Sequence, residues 1–366
     1  MKKAYFKTHS KAMYRILTLA LIAALCFSSV LLTGCDNETP AEVTTTAAPG
    51  ATTTAAPVDG VLRNPLTGEA GYSAELANSR YVGVMINNVP QARPQWGLCT
   101  PDIIFECETE GGITRMLWLY ANPQELPSKF GSIRSARNFF VDIANGYNAI
   151  FVHWGGSDPA YQLINNLGLK TIDGKTIGEP YFFKVPASER DVATEHRGCS
   201  TGDYIRSYIE KNKIDTVRSS TEAPFAFYTS GAVKPAGGAC TTITASHSSS
   251  YNHTFKYNAE DGLYYNYLNS NKMVDSEGKQ MAVTNVIVLY TDISVMDAAG
   301  RVNVNLTSGK GVMATAGGYE NITWKKGASG EMLKIFGADG NPVKLNTGKS
   351  WIGVVSSARE SLTEIA

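Results

Sequence analysis

The sequence predicts an α+β protein: a mixed α/β N-terminal domain followed by a mostly antiparallel β C-terminal domain. Three observations carry this. Strand-like apolar runs and helical stretches interleave over residues 61–217. Short strand runs separated by turn residues fill 251–355, with no convincing helix. Between them, residues 218–250 are rich in Ser, Thr, Gly and Ala and read as a connector.

Taken in order, residues 81–87 read as a buried strand that Pro90 and Pro94 bring to an end. Residues 102–109 alternate strictly. Ile103, Phe105 and Cys107 share one face, and Ile104, Glu106 and Glu108 the other. Gly111-Gly112 signals a two-residue turn, and 113–120 is the return strand. A turn that simple sets Glu108 opposite Arg115. Residues 135–147, 159–167 and 203–212 read as helices, and 149–154 as a buried strand. In the second domain, strands are expected at 264–267, 283–290, 302–306, 311–316, 322–326, 343–345 and 351–355. Turns are expected at 275–278, 297–300 and 339–340, and residues 356–366 read as a tail.

The N-terminus speaks about location. Lys2, Lys3, Lys7, Lys11 and Arg15 precede an apolar run at 16–32, which closes on Leu32-Thr33-Gly34-Cys35. A basic start, a short apolar stretch and a small residue before the cut make a secretory signal peptide over 1–34. A cysteine after Thr-Gly is the lipoprotein form of that cleavage site. Cys35 is therefore expected to carry diacylglycerol and to anchor the chain at the extracytoplasmic face of the cytoplasmic membrane. Residues 35–60 follow as a tether. Thr44-Thr45-Thr46-Ala47-Ala48-Pro49 recurs as Thr52-Thr53-Thr54-Ala55-Ala56-Pro57, a composition that stays extended and lifts the folded part off the bilayer.

Charge narrows the function classes. The chain balances 33 basic against 33 acidic residues, and the leader holds five of the basic ones and no acid. The remainder is 28 against 33, a formal net of −5. That argues against a nucleic-acid partner. Cys26 leaves with the leader, and Cys99, Cys107, Cys199 and Cys240 remain. Their three possible pairings cannot be separated from sequence, and a large core is equally consistent with buried thiols. No Cys-x-x-Cys or His-x-x-x-His spacing occurs, so neither a metal nor a cofactor is expected.

Four clusters hold side chains capable of chemistry. Arg93, next to Pro94, stands on the loop after the first strand. Glu106, Glu108 and Glu110 share one strand face near Arg115. They are either an acid/base or hard-ion site, or a structural set paired to arginine. Gly131-Ser132-Ile133-Arg134-Ser135-Ala136-Arg137 enters a predicted helix. There Arg134 and Arg137 could hold a phosphate or carboxylate, satisfy the glutamates, or do both. His153 ends a buried strand in His153-Trp154-Gly155-Gly156-Ser157, and is either a general base or a satisfied core histidine. His196, between Glu195 and Arg197, is a weaker ligand candidate. No Gly-x-Ser-x-Gly elbow or Cys/His nucleophile pair occurs. Trp324 and Trp351 lie on predicted strands and fit core packing better than sugar stacking.

Several of these segments carry a family resemblance. They are Asn64-Pro65-Leu66-Thr67-Gly68, Met85-Ile86-Asn87-Asn88, Ala92-Arg93-Pro94-Gln95, Glu110-Gly111-Gly112-Ile113-Thr114-Arg115 and Ile133-Arg134-Ser135-Ala136-Arg137. In the second half they are Asn285-Val286-Ile287-Val288, Gly309-Lys310-Gly311, Ile322-Thr323-Trp324 and Gly348-Lys349-Ser350-Trp351-Ile352. In this order they resemble the YerB-like bacterial lipoproteins, a largely Gram-positive family. The resemblance implies paired N- and C-terminal domains of unknown function, and supplies no reaction. The chain departs from the family at Ser132, where Gly-Pro is common. It also departs within Tyr265-Asn266-Tyr267, where the family carries an arginine.

The expected function is a membrane-tethered, non-catalytic binding or scaffold protein for a cell-envelope component or a cell-wall enzyme. Arg93, Arg115, Arg134 and Arg137 would form its anion site. The alternative is a hydrolase or lyase of cell-wall glycan or peptide, using Glu106 or Glu108 with His153.

Overall fold

The computed structural model describes residues 60–366. The leader, Cys35 and the tether lie outside the described residues. A ten-stranded sheet runs through both halves of the described chain. The first half contributes β1 (Val82–Asn87), β2 (Ile103–Glu108), β3 (Thr114–Tyr120), β4 (Ile150–His153) and β5 (Ile172–Asp173). Then β6 (Thr242–Ser248), β7 (Tyr251–Asn258) and β8 (Leu263–Leu268) build a smaller antiparallel sheet. The large sheet resumes with β9 (Asn285–Thr291), β10 (Ser308–Thr315), β11 (Gly318–Lys325), β12 (Lys334–Phe336) and β13 (Ser350–Ser356). Its order is β12-β11-β10-β9-β13-β2-β3-β1-β4-β5. The two halves meet where β13 runs parallel to β9 on one side and to β2 on the other.

Both faces of the large sheet are covered. Phe139, Phe140 and Ile143 of helix α1 (Asn138–Gly146) pack on one face, with Ala160 and Ile164 of α2 (Asp158–Asn166). Ile103, Phe105, Cys107, Leu117 and Phe151 receive them. The small sheet and Ile205 and Ile209 of α3 (Gly202–Lys211) cover the other face, over Ile104, Met116, Trp118 and Trp351. Local signals start the helices. Ser157 accepts from the Ala160 N–H with Pro159 in the first turn, and Thr201 accepts from the Tyr204 N–H. Cys107, Cys199 and Cys240 are buried free thiols, and Cys99 is a half-buried one. Trp324 and Trp351 are core residues.

Two of the quoted motifs stitch the halves together. Asn64 Oδ1 accepts the Leu66 N–H at 2.8 Å, and Asn64 Nδ2 donates to Asp102 Oδ1 at 3.2 Å. Gly68 has φ +74°, and a Cβ there would sit 2.4 Å from the Phe227 ring, so only glycine fits. From the other half, Lys349 Nζ donates to the Cys99 and Thr100 carbonyls at 2.6 and 2.9 Å. The Ser350 N–H reaches the Asp102 carbonyl at 3.0 Å.

The Ala121 N–H here serves two carboxylates, Asp102 Oδ2 at 2.8 Å and Glu125 Oε2 at 3.3 Å. Burial pushes Asp102 up to about 6 and Glu125 up to about 7, against the Ala121 N–H and the nearby Lys349. In the unfolded chain such groups ionise near pH 4. The fold therefore holds extra protons between about pH 4 and pH 7, and these groups lower its stability as pH rises through that window. Glu125→Gln stays neutral at every pH. Its stability relative to the wild type is expected to rise steadily across that window in urea unfolding. A difference that stays flat with pH contradicts the assignment.

Several local expectations need correction. The turn after β2 is a single 3-10 turn over Glu110–Gly112, not a two-residue hairpin. The register shifts accordingly: Cys107 pairs with Arg115, and Glu108 with Thr114. The helix expected from residue 135 begins at Asn138, with no side-chain cap. Arg134 and Arg137 instead lie on an extended segment held by Arg134 N–H to Met85 O and Ala136 N–H to Gly155 O, each 2.9 Å. The stretch read as a connector contains β6. Its Ser and Thr side chains concealed an inward Ile243 and Ala245. The stretch read as a tail is structured: residues 357–362 form a 3-10 turn, and Ile365 bridges to Ile243 on β6.

Candidate functional site

Two polar clusters sit on opposite faces of β1, β2 and β3, near one end of these strands. The first is built on arginine. Asn87 on β1 and Cys107 on β2 both pair with Arg115 on β3. Arg115 is 5% exposed; its Nη1 donates to the Ser135 carbonyl at 2.5 Å, and its Nη2 is 3.6 Å from Glu110 Oε2. Arg137 Nε donates to Glu110 Oε1 at 2.6 Å, and its Nη2 forms a close ion pair with the same oxygen. Arg134 is half-buried and reaches only the Glu195 carbonyl, at 3.4 Å. His196 Nδ1 lies 3.0 Å from Asn87 Nδ2.

Arg115 and Arg137 thus share the Glu110 carboxylate, and Arg134 stands beside them with the Glu195 charge offsetting its own. Burial and then Arg137 bring the Arg115 guanidinium down to about 9; Glu110 opposes this and Arg134 adds to it. Burial disfavours the Glu110 charge, but Arg115 and Arg137 outweigh it and lower its pKa. Burial and Arg134 lower that of His196. Arg115 Nε is buried without a partner. The arrangement is a partly buried cluster with an excess of positive charge, suited to a phosphate or carboxylate.

The second cluster is built on Glu106, which is fully buried. Its Oε1 accepts from Thr114 Oγ1 at 2.6 Å and Asn88 Nδ2 at 2.8 Å, and lies 3.0 Å from His253 Nε2. Trp351 Nε1 donates to Oε2 at 3.2 Å. Gly353 pairs with Glu106 across the strands, and a Cβ on it would lie 2.3 Å from Trp351 Cη2. Glycine here lets the indole lie over β13 and reach the carboxylate. Gln95 Nε2 donates to Asn88 Oδ1 at 3.0 Å, and Asn266 Oδ1 lies 3.0 Å from His253 Nδ1. Burial opposes the Glu106 charge, but His253, His247 and Thr114 outweigh it and hold the carboxyl at about 2.

Asn87, Asn88, Gln95, Glu110, Arg115, Arg137 and Trp351 of the quoted motifs thus meet at these two places. Family models match over 66–215, as the N-terminal domain of DUF3048 proteins of unknown function, and over 241–352, as the matching C-terminal domain. The chain belongs to the DUF3048 family. It is similar to "Putative lipoprotein YerB" of Bacillus subtilis (strain 168), with 28% identity over 338 residues, 91% of this chain and 94% of that one. A crystal structure of the YerB protein from Bacillus subtilis superposes with a TM-score of 0.72 at 26% identity, covering 83% of this chain and 99% of the other. The relative's name agrees with a lipoprotein. No described helix is long and apolar enough to cross a membrane.

Within this DUF3048 fold, the three glutamates of the predicted set part ways. Glu106 enters the core and Glu110 joins the arginines. Glu108 is half-buried; burial raises its carboxyl pKa, against the nearby Arg359. Arg93 stands apart from the other arginines: its guanidinium carbon lies 5.8 Å from the centroid of the Tyr251 ring. His153 is fully buried, with Nδ1 2.8 Å from the Gly155 carbonyl and Nε2 2.9 Å from Thr171 Oγ1. It is a satisfied core histidine and does not meet Glu106. The histidines beside Glu106 are His247 and His253, which come from the small sheet. Local spacing carried no sign of them, because the three residues lie on three different strands.

Proposed function

We propose that this DUF3048 protein is a membrane-tethered, extracytoplasmic binding protein with no catalytic step. Its ligand is an anionic group, phosphate or carboxylate, on a cell-envelope component or a cell-wall enzyme. One observation carries the reading: Arg115, Arg134 and Arg137 gather near Glu110 and Glu195, three cations against two carboxylates, with Arg115 almost wholly buried. Buried like charges destabilise a fold unless something balances them. An incoming anion supplies that balance. Lipid attachment at Cys35 and the tether would present the site to the envelope.

An acid/base reading fits poorly. A catalytic carboxylate must touch substrate. Glu106 has no exposed surface, and its donors all come from the fold.

The test is binding of pyrophosphate and soluble muropeptides to the wild type and to Arg134→Ala/Arg137→Ala. The wild type is expected to bind at least one of them, more weakly as salt rises. The double variant is expected to lose at least about tenfold in affinity, the size of one charge-assisted contact. Equal binding by both proteins, or no binding by the wild type, contradicts the reading.

A further inference from the structure

His247 is fully buried, and neither of its ring nitrogens makes a well-aligned hydrogen bond, although the Val354 backbone lies close to the ring. A neutral imidazole carries one donor and one acceptor, and the interior normally pairs both. The position is a built one. The β6–β7 register runs to Ser246 opposite Asn252, then jumps to Ser248 opposite Tyr251, which leaves His247 as the extra residue of a bulge. Bulges re-aim a side chain. Here Ser246, His247 and Ser248 are all buried, against the strict alternation of a regular strand.

The bulge brings His247 to Glu106 and His253. One donor atom from each of the three lies within 4.8 Å of the others. His253 has a matching peculiarity. Asn266 Oδ1 lies 3.0 Å from its Nδ1 and Glu106 Oε1 lies 3.0 Å from its Nε2, so oxygen acceptors flank both nitrogens. A cation on the Glu106 side suits this pattern: Nδ1–H then donates to Asn266, the outer partner a metal-binding imidazole normally has. Glu106 is held in the same way by Asn88, Thr114 and Trp351.

We propose that Glu106, His247 and His253 bind one divalent transition-metal ion of the zinc class, which pins the β6–β7 hairpin to β2. Two imidazoles and a carboxylate suit that class, whereas calcium and magnesium prefer all-oxygen shells. Bonds of about 2.0–2.2 Å place tetrahedral ligands about 3.4 Å apart, so small side-chain movements close the site. The inference stands independently of the anion site, which lies on the opposite sheet face.

The test uses the full chain in detergent, stripped of metal under mild denaturant and refolded with Co2+. The expected result is one Co2+ per chain with the visible absorption of a tetrahedral ion, displaced by Zn2+. His247→Ala removes a group with no well-aligned hydrogen bond, and circular dichroism checks its fold. It is expected to lose the band and to weaken binding by more than the roughly 10–100-fold that losing an outer partner costs. The wild-type stoichiometry decides by itself if the variant fails to fold. A wild type that takes up no stoichiometric Co2+, or a folded His247→Ala that binds as the wild type does, overturns the proposal.

Discussion

Glu106→Ala is expected to destabilise the protein by about 3–5 kcal/mol, the summed cost of leaving several buried donors without an acceptor. The loss comes from the partners left behind more than from the carboxylate itself. Asn88, Thr114 and Trp351 each donate to Glu106, and each would face the core unpaired. His253 would lose its neighbour on the Nε2 side. Glu106→Gln keeps an acceptor for part of this set and is expected to cost less. Urea unfolding of the two variants reads the difference. A Glu106→Ala protein within about 1 kcal/mol of the wild type would mean that the network contributes little.

Trp351→Ala is expected to cost a similar amount, about 3–5 kcal/mol, by a different route. The indole is fully buried between the two sheets. Its ring centroid lies 4.8 Å from that of Phe255, 5.1 Å from His253 and 5.9 Å from His247. Its removal leaves a cavity where the small sheet meets the large one, and unpairs Glu106 Oε2. Because the two residues share that bond, Trp351→Ala/Glu106→Ala should cost less than the sum of the single changes. Strict additivity would contradict direct coupling.

Much of this architecture was legible because the signals were local. The alternation of 103–108 placed Cys107 and Glu106 on the correct faces of β2. The arginine cluster was legible too, since Glu110, Arg115, Arg134 and Arg137 stand on neighbouring segments and need only one turn and one crossing to meet. Layering was not legible. An alternating strand implies one wet face, yet the small sheet covers the Glu106 face of β2, so its polar residues became core. The strands of that small sheet were partly hidden. In β6, Thr and Ser outnumber the apolar residues, and the bulge at His247 breaks the period that would have marked it. The Glu106–His253 contact depends on a pairing between distant parts of the chain, and no local spacing encodes it. The hairpin register failed for a smaller reason: Gly111 and Gly112 both take positive φ inside a 3-10 turn, and the pairing starts one residue later than a two-residue turn would set it.

We infer that the arginine cluster is kept for a ligand rather than for the fold. Arg134 tests it best, because its one hydrogen bond, at 3.4 Å to the Glu195 carbonyl, is long, while its charge adds to the load on Arg115. The measurement is the melting temperature of the wild type and of Arg134→Ala, each with and without saturating pyrophosphate. A ligand at about 100 times its dissociation constant adds roughly 2.7 kcal/mol, which raises melting by several degrees. Arg134→Ala is expected to melt at or slightly above the wild type when both are free, and to lose that rise. A variant that melts well below the wild type when free, or that keeps the full rise, would contradict it.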